Sequence, residues 1–190
     1  YVFQHSGSGI LRPFLDTVTR GEGWAHTAEW EPLTPTYMRA AESMRPQGVP
    51  YTFFPGITKR SALLQHYPED QLAEVQRKLN RELLARTFPH DVLPVPRFSY
   101  QRQHSLVPIW KAMDRLGIDD AEWRPHFENH PGLTSTSEDL LVSFYVRDGR
   151  LLVVASNLTD EPISATLQLD RKALGLPASG NLPLEGVLSG

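Results

Sequence analysis

Two apolar segments separated by only two residues constrain the fold of this chain more than any other feature of its sequence. Residues 140–147 and 150–156 are rich in leucine and valine, the first segment also contains two aromatic side chains, and the two residues between the segments are Asp148 and Gly149. An Asp-Gly pair favours a type I′ turn, whose backbone twist matches that of two antiparallel strands. The sequence therefore predicts a β-hairpin at this position.

The residues that follow the hairpin also favour extended structure. Residues 163–169 alternate apolar and polar side chains, which is typical of a strand with one buried and one exposed face. Residues 157–162 predict a turn, residues 170–176 a short helical turn, and residues 182–188 a last strand. A meander of this kind predicts one half of an antiparallel β-sandwich.

Helical periodicity is found in the part of the chain before about residue 119. Apolar residues recur at helical spacing in residues 68–86 and again in residues 105–116. Pro68 suits the first position of a helix, and Gly117 suits the residue that ends one. Because the period becomes twofold after these helices, we place a domain boundary within residues 117–137 and divide the chain between residues 120 and 121.

Short extended segments alternate with helices in the first hundred residues. Residues 1–6, 14–19 and 49–54 contain β-branched or aromatic side chains and are followed by glycine or proline, and residues 36–45 predict a short helix. Three prolines between residues 89 and 96 allow only a short strand there. The first part of the chain is therefore predicted to contain both strands and helices.

The composition argues against several classes of function. The net charge is −3 with both signs interspersed, so we expect neither nucleic acid nor a membrane as a partner. No apolar run approaches the ~20 residues of a membrane-spanning helix. The chain has no cysteine and no phosphate-binding glycine-rich loop, and we expect no metal and no cofactor.

The ends of the chain and its cysteine content leave its location open. The sequence begins at Tyr1 without a methionine and ends inside an apolar run, so we expect it to be a piece of a longer protein. The absence of cysteine is compatible with a secreted or periplasmic protein and equally with a cytoplasmic one.

A carboxylate between two glycines is the best candidate for a functional residue. Glu22 lies between Gly21 and Gly23, directly before Trp24 and after a predicted strand. Glycine allows a ligand to approach the backbone closely, and an exposed indole face can stack on a sugar ring. We therefore predict a catalytic role for Glu22 and a substrate-binding role for Trp24. The alternative is a tight turn in which Glu22 is only solvated.

Several motifs taken together resemble bacterial glycoside-hydrolase-like proteins, many of which are uncharacterised. The motifs are Gly21-Glu22-Gly23-Trp24, Gly48-Val49-Pro50, Phe54-Pro55-Gly56, Ile109-Trp110-Lys111 and the segments 116–123 and 152–162. The resemblance covers about residues 14–176. It implies an α/β fold in which residues 1–120 form the last few βα units of a (β/α)8 barrel and residues 121–190 form a C-terminal antiparallel β-sandwich.

The resemblance also implies site residues, because barrel enzymes hold their catalytic groups at the carboxy ends of the strands. By this rule Glu22 and Asp91 are the catalytic candidates, while His5, His90 and Trp24 are expected to bind substrate. Glycoside hydrolysis usually requires two carboxyl groups. The partner of Glu22 is either Asp91 or a residue on a part of the barrel that this chain does not contain.

The function implied by the resemblance is hydrolysis of a poly- or oligosaccharide. A carbohydrate substrate and the remainder of the barrel, from the same or another chain, are then the expected partners. A non-catalytic carbohydrate-binding or structural module is the alternative function. It would require neither a second carboxylate nor a complete barrel.

Overall fold

A computed structural model describes most of the second half of the chain and several segments of the first half. The described residues are 3–5, 17–20, 34–39, 51–53, 64, 66–94 and 107–187. The chain divides into two compact units, Tyr1–Gln103 and His104–Gly190. No helix among the described residues is long and apolar enough to cross a membrane.

Four short strands form a parallel sheet in the first unit. They are β1 (Phe3–His5), β2 (Thr17–Arg20), β3 (Tyr51–Phe53) and β4 (Leu93–Pro94). The strands lie side by side in chain order, and each neighbouring pair is parallel. Their carboxy ends therefore meet at one edge of the sheet.

The positions of these strands agree with the extended segments predicted from the sequence. β1 and β3 lie inside residues 1–6 and 49–54, and β2 begins within residues 14–19 and ends one residue later. β4 has only two residues and includes Pro94. Its shortness follows from the neighbouring prolines, because proline cannot donate a ladder hydrogen bond.

Two α-helices are described in the first unit, α1 (Pro35–Tyr37) and α2 (Leu72–Thr87). The hydroxyl of Thr34 caps α1 by accepting a hydrogen bond from the backbone N–H of Tyr37 at 3.1 Å. The predicted helix over residues 36–45 is confirmed only at its start, since the positions after 39 lie outside the described residues.

Helix α2 confirms the prediction for residues 68–86, with a change at its start. A 3-10 turn, Glu69–Gln71, precedes the α-helix, and its two acidic residues lie at the positive end of the helix dipole. Leu72 and Leu84 are buried, while Glu74 and Arg77 form an ion pair on the exposed face. Burial of one apolar face therefore anchors the helix, and exposed charges keep the other face in water.

The second unit is built around a three-stranded antiparallel sheet. Its strands are β5 (Glu122–Arg124), β7 (Leu140–Arg147) and β8 (Arg150–Asn157), with β7 in the middle. Asp148 and Gly149 join β7 to β8 with φ angles of 48° and 70°. A type I′ turn requires positive φ at both central residues, so the predicted hairpin is confirmed.

A second, two-stranded antiparallel sheet pairs β6 (Leu133–Ser135) with β9 (Leu167–Leu169). β9 covers only the end of the strand predicted over residues 163–169. The helical turn predicted over residues 170–176 is confirmed, because the N–H of Leu174 donates to the carbonyl of Asp170 at 3.1 Å.

The last predicted strand, over residues 182–188, is wrong for residues 182–187, which contain no strand. Leu182 packs against the core, but Leu184 is 98% exposed. Glu185 forms an ion pair with Arg115 at 3.0 Å. The apolar pattern of the segment therefore reflects one anchoring contact and not pairing with a neighbouring strand.

One buried apolar cluster of the second unit lies on one face of the three-stranded sheet. Its buried members are Leu133, Phe144, Leu174 and Leu176. They come from β6, β7 and the helical turn after β9. This cluster therefore joins both sheets of the second unit to that turn.

Helix α3 (Val107–Leu116) packs against β8 and covers the opposite face of this sheet. Residues 147 and 150 are paired across the hairpin, and their side chains leave the sheet on the face away from the cluster around Phe144. Arg147 donates to the carbonyl of Gly117 at 2.8 Å, and Arg150 donates to the carbonyl of Arg115. These contacts hold the end of the helix on the hairpin.

Because of these contacts, α3 belongs to the second compact unit, which begins at His104. The boundary predicted between residues 120 and 121 would place this helix in the first domain. Helical periodicity indicated the helix correctly but carried no information about the surface on which it packs. The division into a barrel part, residues 1–120, and a sandwich, residues 121–190, stays a prediction.

Candidate functional site

The carboxy edge of the parallel sheet is the part of the first unit where the predicted site residues were expected. His5 is the last residue of β1, and its backbone lies opposite Thr19 of β2. Arg20 and Phe53, the last residues of β2 and β3, lie opposite each other. The sheet therefore brings the ends of three strands to one edge, with His5 at that edge.

Glu22 and Trp24 lie outside the described residues. In the sequence they follow Arg20, the last residue of β2, by two and four positions. Their predicted roles stay predictions. The described part of the first unit establishes the direction of the strand that leads to them.

His90 and Asp91 lie before the amino end of β4, whereas we expected them at the carboxy end of a strand. They follow helix α2 and precede β4, whose first residue is Leu93. They therefore belong to the amino end of β4, whereas the rule that selected them concerns the carboxy ends of barrel strands. This corrects the expectation that they share an edge with His5.

The surroundings of Asp91 favour a structural role. His90 is fully buried and Asp91 is 4% exposed. Asp91 adopts a left-handed backbone conformation, with φ 59°, and its N–H donates to the carbonyl of Phe88 at 3.1 Å. Aspartate is one of the few residues other than glycine that adopt this conformation readily. Asp91 thus ends the helical segment and turns the chain toward β4.

A cleft of about 320 Å³ in the second unit was not predicted from the sequence. Its polar lining includes Glu128, Asn129, His130, Ser135, Ser137 and Glu138. Its apolar floor includes Leu140, Val142 and Phe144, which alternate along one face of β7. The cleft therefore has polar walls above an apolar strand face.

Arg124 holds one wall of this cleft in place. Its guanidinium makes two hydrogen bonds of 3.0 Å to the carboxylate of Glu122 and a third, of 3.1 Å, to the carbonyl of Pro131. It also lies over the ring of Phe144, 5.8 Å from the centroid. The segment between β5 and β6 is therefore fastened at both ends.

The ion pair at Arg124 changes the titration of its partner. The hydrogen bond from Arg124 lowers the pKa of the Glu122 carboxyl from its ordinary value of 4.5, against the smaller opposing effect of burial. Glu122 is thus held as a carboxylate and is engaged structurally. It does not line the cleft.

Two histidines of the lining lie four positions apart, although not on a helix. The N–H of His126 donates to the hydroxyl of Ser143 at 2.9 Å, which ties this wall to β7. The ring of His130 packs edge-on against Phe144, with centroids 6.1 Å apart. The spacing of these histidines, with Glu128 between them, was the sequence signal that could have indicated the site.

The described residues contain no group of three or more histidine, cysteine, aspartate or glutamate side chains that could hold a metal ion. His130 and Glu128 alone are too few, since structural metal sites usually have four protein ligands and catalytic sites three. The chemistry available in the cleft is therefore hydrogen bonding by carboxylates, an amide and hydroxyls.

A comparison with protein families gives a match in the second half of the chain. Residues 105–182 match the model described as Glycoside hydrolase 123, C-terminal domain. The matched segment is less than half of the chain and contains α3 and all five strands of the second unit. Comparisons with curated proteins and with solved structures gave no match. The predicted resemblance is thus confirmed for this segment, and residues 105–182 are similar to the C-terminal domain of glycoside hydrolase family 123.

Proposed function

We propose that this chain is the carboxy-terminal part of a glycoside hydrolase that acts on a poly- or oligosaccharide. The observation that carries the proposal is the family match of residues 105–182. A match of this kind associates the chain with carbohydrate chemistry. The reaction itself must be argued from the residues of the first unit, because function depends on the site and not on the fold.

The parallel sheet supports a barrel in the first unit. Its four strands lie in chain order, which is the order of strands in a (β/α)8 barrel. The remaining strands would come from the rest of the barrel, in the same or another chain. In this proposal the two antiparallel sheets of the second unit form the β-sandwich that follows the barrel.

Glu22 is the proposed catalytic carboxylate. It follows the carboxy end of β2, and barrel enzymes place their reacting groups at this end of the strands. One carboxyl group of a glycosidase protonates the leaving oxygen, and the other acts as nucleophile or base. Glu22 would supply one of these groups, with His5 and Trp24 contacting the sugar.

The second carboxylate is proposed to come from the rest of the barrel. Asp91 is the alternative within this chain, but it precedes β4 and is almost fully buried. Two catalytic carboxyl groups must lie ~5 to 9.5 Å apart across the scissile bond. A residue at the amino end of a strand is poorly placed to meet Glu22 at that distance.

The test is Glu22→Gln in the full-length protein that contains this chain. We expect kcat on a panel of p-nitrophenyl glycosides to fall by about 10²–10⁴-fold, the usual contribution of a catalytic acid or base. Glu74→Gln, on the exposed face of α2, is the matched control and should leave kcat unchanged. Turnover that persists in Glu22→Gln would remove Glu22 from the mechanism.

A second variant separates the two carboxylate assignments. Asp91→Asn should lower the melting temperature with little effect on kcat, because Asp91 is buried at the end of the α2 segment. A loss of kcat equal to that of Glu22→Gln, without loss of stability, would instead identify Asp91 as the partner of Glu22.

A further inference from the structure

We propose that the cleft of the second unit is a binding site for a neutral sugar residue. The cleft is the space of about 320 Å³ above Leu140, Val142 and Phe144. This volume is at the lower end of the range typical of small-molecule sites. The choice of a sugar as ligand rests on the proposed function.

Leu140 and Val142, at the floor of the cleft, suit the apolar face of a pyranose ring, whereas Phe144 lies buried beside them. Leu140, Val142 and Phe144 leave the same face of β7, because side chains two positions apart on a strand point the same way. Leu140 and Val142 are only partly buried, so their apolar surface is accessible from the cleft. The C–H groups of a sugar ring would cover that surface.

The walls of the cleft carry groups that bind hydroxyls. Glu128 and Glu138 offer carboxylate oxygens that accept hydrogen bonds, and the amide of Asn129 both donates and accepts. In the described part of the chain, Asn129 and Glu138 make no side-chain hydrogen bond of their own. A polyol ligand could use these groups without breaking an existing contact.

Glu128 and His130 lie side by side in the cleft without a hydrogen bond between them. Glu128 Oε2 lies 3.6 Å from His130 Nε2, which is longer than a hydrogen bond. Nε2 is buried and has no hydrogen-bond partner among the described residues. Glu128 is exposed and can rotate, so a ligand hydroxyl could enter between the two groups and bond to both.

The walls are held in position before any ligand binds. Arg124 fastens Pro131, the N–H of His126 donates to Ser143, and the hydroxyl of Ser135 accepts from the N–H of Ser137 at 3.1 Å. A preformed site loses less conformational entropy on binding than a mobile one.

The charge of the lining selects a neutral ligand. Two carboxylates line the cleft, and no lysine or arginine is present among the described residues that line it. A uronic acid or a sulfated sugar would bring a like charge close to Glu128 and Glu138. Repulsion between like charges disfavours such ligands.

The experiment is an NMR titration of the 190-residue chain with methyl glucoside, methyl galactoside and methyl mannoside. We expect saturable shifts of the backbone amides of Glu128, Asn129 and Ser137 with at least one of these sugars. The double variant Glu128→Ala, Asn129→Ala should weaken that binding by about tenfold or more. Both residues are exposed, so the fold should be retained.

Two controls accompany the titration. Glu161→Ala removes an exposed glutamate of the same unit that does not line the cleft, and it should bind as the unaltered chain does. Methyl glucuronide, which adds a carboxylate to the glucoside, should bind more weakly. Absence of saturable shifts with all three neutral sugars, or equal affinity in the double variant, would overturn the proposal.

The outcome is independent of the test of hydrolysis. Glu22 belongs to the first compact unit and is no part of the proposed sugar site, and we expect the shifts at Asn129 to be the same in Glu22→Gln as in the unaltered chain. Loss of hydrolysis in Glu22→Gln without sugar binding in the cleft would refute the cleft alone. Sugar binding in the cleft together with Glu22-independent hydrolysis would refute only the role of Glu22.

Discussion

The two compact units of the chain pair their strands in opposite ways. In the first unit, neighbouring strands are parallel and two to four residues long. In the second unit, β7 and β8 are antiparallel and eight residues long. Antiparallel strands can be joined by a two-residue turn, but parallel strands require a long crossover. Strand pairing in the hairpin of the second unit therefore joins residues that are close in the sequence. Strand pairing in the first unit joins residues that are farther apart in the sequence.

The helices of the two units end with the same backbone conformation but with different residues. Asp91 has φ 59° after α2, and Gly117 has φ 71° after α3. A Cβ atom at position 117 would overlap with the guanidinium of Arg147, which would have to move. In the second unit, the hairpin therefore restricts the residue that ends the helix, in addition to the restriction imposed by φ.

The largest expected effect is disruption of the apolar core of the second unit. Phe144 is 2% exposed, and Phe144→Ala should lower the free energy of unfolding by about 3–5 kcal/mol. Leu184→Ala, at a residue that is 98% exposed, is the control and should have almost no effect. Urea denaturation measures both values.

The same variant tests whether the two units are energetically separate. Hydrogen exchange in Phe144→Ala should show lost protection in β7 and β8, while α2 keeps its protection. Equal loss in α2 would show that the units unfold together, and the comparison between them would then not extend to stability.

An intermediate effect is expected at the helix end of the second unit. Gly117→Ala should cost about 2 kcal/mol, because alanine is strained at positive φ and Arg147 must move away from the Gly117 carbonyl. Gly175→Ala is the matched control: Gly175 has φ 64°, and a Cβ atom there would have no neighbour within 4 Å. It should show the backbone strain alone, about 1 kcal/mol. Thermal unfolding measures the stability of both variants. An equal loss of stability in Gly117→Ala and Gly175→Ala would mean that the contact with Arg147 does not stabilise the fold.

The smallest expected effect concerns Glu122, whose side chain is 63% exposed. Its pKa is lowered in the folded state by Arg124, so its stabilising contribution is present above the ordinary value of 4.5 and is lost as the pH falls through the lowered folded value. Glu122→Gln should therefore cost at most about 1 kcal/mol at neutral pH.

The difference between Glu122→Gln and the unaltered chain should disappear in acid. Thermal unfolding between pH 7 and pH 3 measures it, with Glu161→Gln as a control at an exposed glutamate. A difference that does not change with pH would show that the ion pair with Arg124 does not stabilise the fold.

The elements predicted correctly are those whose signals are local. The Asp148-Gly149 turn specifies its own hairpin, and Gly117 marks the end of α3. The last predicted strand failed because Leu182 packs into the core while Leu184 stays in solvent, a difference that the alternating pattern does not contain.

The candidate sites were predictable to different degrees. Glu22 was selected from the glycines around it and from a predicted strand, and the structure confirms the strand β2 that leads to it. Asp91 was assigned to the wrong end of a strand because β4 is short and begins after it. The cleft was missed because its residues, which lie between positions 125 and 144, meet only when β6 packs near β7.

By itself, the sequence determined the hairpin of β7 and β8, the helices α2 and α3, and the resemblance to the carboxy-terminal part of a glycoside hydrolase. These features depend on turn residues, on side-chain period and on short motifs, each made of neighbouring residues. Only the tertiary structure decided that α3 packs on the hairpin, that Asp91 lies at the amino end of β4, and that a polar cleft lies over β7. Each of these depends on contacts between distant residues, which no local pattern specifies.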